Sequence, residues 1–173
     1  MKTFRQLVVV LFANGILLFL ALEANSALAP LSVYLTVGGM FVVFPALKLP
    51  VRAGFPAVLL SGALWDAATP GPFGLFLFAT GGLYAGLHRL RHRFRTQRPF
   101  PLAVVAAAAN LALLLLLGAW FFPAEAHAAY AGRFLLEAVL SEAVVLGLAF
   151  WFFPLQEESL GLLGAKPGPD ETP

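Results

Sequence analysis

Six apolar stretches, each near the length of a bilayer crossing, dominate this chain. They run Leu7–Leu22, Leu31–Leu47, Val51–Ala68, Phe73–Leu87, Pro101–Phe122 and Gly132–Phe153. A membrane-spanning helix takes about 20 mostly apolar residues. Hydrophobic residues make up 60% of the chain and charged residues only 12%, against about 25% charged in a soluble domain. So few charges cannot form a water-facing shell, and a disordered chain needs the opposite composition. There is no cysteine, which excludes disulfides, thiolate nucleophiles and cysteine-bound metals. The fold class expected is therefore an all-α polytopic membrane protein, a bundle of six transmembrane helices over residues 1–153. The third and fourth stretches are short and meet at Ala67-Ala68-Thr69-Pro70-Gly71-Pro72, where two prolines and a glycine stop a helix. A re-entrant hairpin is the competing reading of that pair.

Lysine and arginine placement sets the orientation. With six spans and an inside start, Lys2, Arg5, Lys48, Arg52, Arg89, Arg91, Arg93, Arg95, Arg98 and Lys166 fall on the inner side, and Arg133 alone falls outside. Both termini are thus expected in the cytoplasm. Tyr34, Trp65, Phe73, Trp120 and Trp151 lie near span ends and fit interfacial belts. Lys2 and Arg5 before an apolar run, with Ala27-Leu28-Ala29 beyond it, also resemble a signal peptide. Pro30 after that site and the length of the run favour an uncleaved first span. Residues 154–173 hold four prolines and four acidic residues and read as a disordered cytoplasmic tail.

Polar groups at membrane depth cost free energy and demand an explanation. Asn14, Asn110 and Glu142 fall near the middle of their spans. Glu142 reads either as a proton or substrate site or, more simply, as a carboxyl bonded to Asn110 or Asn14 that holds helices together. Glu137 stands one turn from Arg133, an ion-pair spacing. Small residues mark packing faces: Ala103, Ala106, Ala107 and Asn110 on the fifth span; Ala138, Ser141, Glu142 and Ala149 on the sixth; Gly82-x-x-x-Gly86 and Gly81-x-x-x-Ala85 on the fourth.

Chemistry-bearing motifs are scarce. Ser61 and Ser141 lack the surroundings of a nucleophile elbow. His88 and His92 are four apart but sit among arginines, which disfavours a metal. No phosphate-binding or dinucleotide fingerprint occurs. An enzyme, a cofactor and a metal site are therefore not expected. Arg89, Arg91, Arg93, Arg95 and Arg98 follow the fourth span directly. They serve as a topology anchor and, beyond that, as a candidate surface for anionic lipid at about 1 kcal/mol per basic residue or for a cytoplasmic protein. No basic domain extends beyond this loop, so nucleic acid is not an expected partner.

The stretch Gly62-Ala-Leu-Trp-Asp66-Ala-Ala-Thr-Pro-Gly71-Pro72-Phe73-Gly74, followed by an apolar helix with Leu83-Tyr84-Ala85-Gly86 and a basic loop, resembles the bacterial rod shape-determining protein MreD family. Gly62 and Asp66 match the family's G-x-x-x-D helix end, and Pro72-Phe73-Gly74 its turn. Gly71-Pro72 shortens the family's G-x-P spacing, the sixth span lacks a mid-helix proline, and the tail is acidic rather than basic. The resemblance implies a non-enzymatic membrane component of the cell-elongation machinery. It would work beside the bitopic protein MreC, the actin-like MreB, and a peptidoglycan transpeptidase and polymerase. It also implies a fold similar to the substrate-binding subunits of energy-coupling-factor vitamin transporters, which supplies the alternative function. Gly62, Asp66, Pro72, Gly74, Asn110 and Glu142 are the structural or partner-binding candidates. Asp66 ends a helix, so its charge needs compensation; backbone N–H groups at residues 73–75 are the donors expected.

Overall fold

A computed structural model describes residues 1–93, 99–121 and 127–166. Six α-helices account for nearly all of them: α1 Lys2–Leu28, α2 Gly38–Lys48, α3 Val51–Ala68, α4 Leu75–Leu90, α5 Pro99–Phe121 and α6 His127–Leu162. Three have the length and apolarity to cross a membrane: α1, α5 and α6. Arg95, Arg98, Glu125 and residues 167–173 lie outside the described residues.

The helix ends follow local chemistry. Lys48 closes α2 in its last turn, where a cation meets the negative end of the helix dipole. Leu49 is extended before Pro50, as the proline ring requires. Thr69 is extended before Pro70 in the same way, and its hydroxyl donates to the Trp65 carbonyl at 2.9 Å. Gly74 opens α4 with φ +105°, a backbone conformation that a side chain would strain.

Helix α2 lies at the centre, with every residue from Gly38 to Leu47 buried. Helices α3 and α4 form a hairpin against one side, α5 and α6 cover another, and α1 packs on α3. Phe41, Trp65 and Phe76 form an aromatic core, with ring centroids 5.3 Å and 4.4 Å apart along the series. Trp65 is 2% exposed, so it belongs to the core and not to an interfacial belt. Trp120 and Trp151 are exposed.

Two sequence expectations change. The second stretch is not one helix from Leu31: a short turn ends at Leu31, residues 33–37 are irregular, and the helix starts at Gly38. Val33-Tyr34-Leu35-Thr36-Val37 is rich in β-branched and aromatic residues, which favour extended backbone. The chain also does not become disordered at Pro154. Helix α6 continues through it to Leu162, because Phe153 and Gln156 on either side are buried and packing holds the flanking turns across the lost hydrogen bond. The helix then closes on Gly164 at φ +61°. Ala165 N–H returns to Leu160 O at 2.8 Å and Gly164 N–H to Gly161 O at 3.0 Å, a Schellman cap. Gln6 and Arg5 of α1 donate to the carbonyls of Ala165 and Leu163 at 2.9 Å and 3.0 Å, which docks residues 163–165 on the start of α1.

Candidate functional site

Irregular backbone inside an apolar bundle must find hydrogen-bond partners among side chains. Residues 33–37 do so through two helices, α1 and α6. Asn25 of α1 makes two bonds to Leu35, accepting from its N–H at 2.7 Å and donating to its carbonyl at 3.0 Å. Tyr34 N–H donates to Glu137 Oε1 at 3.2 Å, and the same carboxylate pairs with Arg133 at 3.0 Å. Thr36 N–H donates to Ser141 Oγ at 3.0 Å. At the first turn of α2, Gly39 N–H donates to Asn110 Oδ1 at 3.2 Å, and Asn110 Nδ2 passes a bond to Glu142 Oε1 at 3.0 Å. Asn110 is fully buried. Glu142 therefore faces the bundle through Asn110, and its Oε2 has no partner among the described residues.

A second polar group lies nearer the lysine-bearing end. Pro45 has no N–H, so the Phe41 carbonyl loses its usual helical partner. Asn14 Nδ2 fills that place at 3.3 Å and also meets Ser61 Oγ at 3.0 Å. Gln156 Nε2 donates to Asn14 Oδ1 at 3.3 Å. Ser61 is thus a hydrogen-bond bridge that donates on to Ala57 O at 2.8 Å.

The hairpin residues form one clamp. Asp66, 6% exposed, accepts from Phe76 N–H at 2.9 Å on Oδ1 and from Leu77 N–H at 3.0 Å on Oδ2. These are orphan donors of the first turn of α4, where a negative charge is favoured. The donors lie just beyond those expected, because the helix begins at Leu75. Gly62, one turn before Asp66, makes the approach possible: a Cβ there would stand 2.6 Å from Thr80 Oγ1 and 2.8 Å from Leu77 Cα. Pro72 accepts from Leu75 N–H at 3.3 Å. Gly62, Asp66, Pro72 and Gly74 thus act on the same turn.

Beside this clamp is a cavity of about 450 Å³. Tyr34, Asp66, Pro72, Tyr130, Arg133 and Glu137 line it. Asp66 is held by two backbone donors, Glu137 by Arg133 and Tyr34 N–H, and Tyr130 donates to Gly118 O at 3.3 Å. The polar wall is largely committed to the protein's own backbone.

Other expectations fare differently. Of the α5 stripe, Ala103, Ala106 and Asn110 are buried and Ala107 is partly buried; Ala106 and Asn110 meet Gly39 of α2, a close approach the sequence reading missed. A Cβ on Gly39 would stand 2.5 Å from Asn110 N and nearer still to Ala106 O. Among the described residues no atom lies within 4 Å of a Cβ built at Gly82 or Gly86, so the Gly82-x-x-x-Gly86 face finds no packing partner there. Helix α4 instead turns Leu77 and Thr80 toward α3. His88 stacks on Tyr84 with centroids 5.5 Å apart, and its Nδ1 lies 3.1 Å from Ala46 O. Arg89 and Arg93 are exposed and Arg91 is partly buried. Gln6, Asn25 and Gln156 were not singled out from sequence. Pro45, which leaves a carbonyl wanting a donor, was the one local signal that a buried amide was needed nearby.

Glu142→Gln keeps the oxygen that accepts from Asn110 and is expected to leave the unfolding temperature in detergent within a few degrees. Asn110→Leu removes the acceptor for a buried Gly39 N–H, a loss of about 1–3 kcal/mol, and is expected to lower it clearly. Loss of cellular function in Glu142→Gln at normal expression would assign this carboxyl a chemical role instead.

No family model, curated protein or solved structure matches this chain.

Proposed function

We propose that this chain is an MreD-like, non-enzymatic component of a bacterial cell-elongation complex in the cytoplasmic membrane, acting through protein contacts. The observation that carries the reading is the hairpin clamp: the residues that make up the family-like motif act on one turn, with Gly62 admitting α4, Asp66 binding its first N–H groups and Gly74 starting it. The spending of buried polar groups on backbone supports a scaffold over a catalyst, since catalysis needs a nucleophile and base held free for substrate.

Six crossings belong to this proposal. Helices α3 and α4, at 18 and 16 residues, are about 27 Å and 24 Å long at 1.5 Å per residue. Residues 33–37, irregular with Val37 at φ -123° and ψ 18°, lengthen the roughly 16 Å path of α2 by at most about 16 Å. Each path approaches the roughly 30 Å hydrocarbon core. Basic residues at the starts of α1 and α3 and the ends of α2 and α4 support a reading in which that end, and both termini, face the cytoplasm. The arginines after α4 then lie at the anionic inner surface.

Depletion is expected to turn rod-shaped cells round or wide, and the protein is expected to copurify with an MreC-like bitopic partner. The cavity of about 450 Å³ falls in the size range of small-molecule pockets and favours the second reading, a vitamin-binding subunit of an energy-coupling-factor type transporter. That reading predicts normal cell shape, a vitamin requirement on deletion, and copurification with an ATPase module. Those three results together would replace the first reading.

A further inference from the structure

Arg133 and Glu137 stand one turn apart on α6, and both line the cavity of about 450 Å³ beside the hairpin clamp. Their bond uses only half of each group. Arg133 Nε donates to Glu137 Oε1 at 3.0 Å, and Tyr34 N–H donates to the same oxygen at 3.2 Å. The two Nη atoms of Arg133 and Oε2 of Glu137 have no partner among the described residues. The side chains are 55% and 16% exposed, which sets the guanidinium on the solvent side and the carboxylate further in. Thr36 lies deeper, at 2% exposed. Its N–H goes to Ser141. Its hydroxyl, able to donate or accept, has no partner among the described residues.

The charges of the lining decide between ligands. Asp66 is the third charged residue there, but backbone N–H groups take both of its oxygens, so it adds field without a free contact. An anion alone is drawn to Arg133 but repelled by Glu137 and Asp66. A cation alone is drawn to Glu137 but meets Arg133 beside it. A ligand with an ammonium next to an oxyanion matches both free halves. Its oxyanion takes the two Nη donors in the forked geometry that a guanidinium offers, and its ammonium donates to Glu137 Oε2. Leu75, Phe76, Leu114, Leu117 and Phe134 make the rest of the wall apolar, which suits an apolar body on the same ligand.

We propose that this cavity binds a zwitterion, a primary ammonium beside an oxyanion on an apolar body, with Arg133 holding the oxyanion and Glu137 the ammonium. Two sources share this chemistry: a free apolar amino acid and the headgroup of phosphatidylethanolamine. Thr69 and Pro72 of the hairpin turn, Leu117 of α5 and Arg133 of α6 all border the cavity, so the ligand ties the two helical hairpins together. The site goes beyond the assembly reading, which assigns this cavity no ligand.

The test uses the full chain purified in detergent. Calorimetric titration compares L-phenylalanine with 3-phenylpropanoate, which lacks the ammonium, and 2-phenylethylamine, which lacks the oxyanion. Native mass spectrometry compares phosphatidylethanolamine with phosphatidylglycerol, which lacks the ammonium, and phosphatidylcholine, whose nitrogen has no N–H. One of the two zwitterions is expected to bind at least tenfold more tightly than both of its analogues, and which one it is names the source. Arg133→Gln removes the oxyanion's partner. Glu137→Gln removes the ammonium's partner but keeps an oxygen for Tyr34 N–H. Each is expected to weaken that zwitterion at least tenfold, while the unfolding temperature without ligand stays within a few degrees, since an exposed pair one turn apart adds little stability. Binding of neither zwitterion, an analogue that binds as tightly, or unchanged affinity in either variant would overturn the site. A chain that binds neither zwitterion yet copurifies with the bitopic partner would lose the site and keep the assembly reading.

Discussion

Gly39→Ala is expected to destabilise the bundle by about 3 kcal/mol or more. The added Cβ would lie 2.5 Å from Asn110 N and 2.8 Å from Asn110 Cβ, with Ala106 O closer still. Two of these three atoms are backbone of α5, so no rotation of a flexible side chain relieves the clash. Overpacking a filled core costs about 1–3 kcal/mol. Forcing α2 and α5 apart also stretches the bond from Gly39 N–H to Asn110 at 3.2 Å, and a lost bond at a buried donor adds about 1–3 kcal/mol. Thermal unfolding in detergent should show a fall on the order of 10 °C for a chain of this size. Gly82→Ala is the control, since among the described residues nothing lies within 4 Å of the new methyl and helix propensity improves. Equal behaviour of the two variants would refute the close α2–α5 contact.

Asp66→Ala is expected to have the second largest effect. It leaves the N–H groups of Phe76 and Leu77 without acceptors at the start of α4, each worth about 1–3 kcal/mol when buried. It also removes the anion that the positive end of α4 favours. Asp66→Asn keeps one acceptor oxygen but turns an amide N–H toward the other backbone donor, so an intermediate loss is expected. The order wild type, Asn, Ala should appear in unfolding temperature. In the assembly reading the same order should appear in recovery of cell shape, because the hairpin is the family-like motif. An Asp66→Ala chain as stable as wild type would show that the clamp does not hold the turn.

Much of this architecture was legible because its signals are local. Pro50, the Pro70-Gly71-Pro72 turn and the arginines after Leu87 each act within a few residues, and the helices of residues 51–68 and 75–90 lie close to where those signals put them. The pairing of Asn110 with Glu142 was legible as a need: two polar groups at one depth in an apolar setting have few other partners. The break at 33–37 was hidden because Val-Tyr-Leu-Thr-Val is as apolar as a helix, and two of its stabilising partners, Glu137 and Ser141, lie more than a hundred residues away. The docked C-terminal turn was hidden because Pro154 and the acidic residues suggest a loose tail, whereas burial of Gln156, Leu160 and Ala165 is a tertiary fact. Gly39 and Gly82 look alike in sequence; only the position of α5 separates them.

The bonds around residues 33–37 bear on how the chain is made. Tyr34 waits for Glu137, 103 residues later, and Thr36 for Ser141, 105 residues later. At roughly 5–20 residues per second, a ribosome adds that interval in about 5–20 s. During it the N–H groups of Tyr34 and Thr36 have no native acceptor, and for most of it α2 has no α5 to lie against. The segment leading into the central helix therefore completes its bonds only once α6 is made, although it is among the first to be synthesised. A chain that stops short of Glu137 leaves the backbone N–H groups of Tyr34 and Thr36 without their native acceptors, so a truncated product differs from the completed protein at its centre.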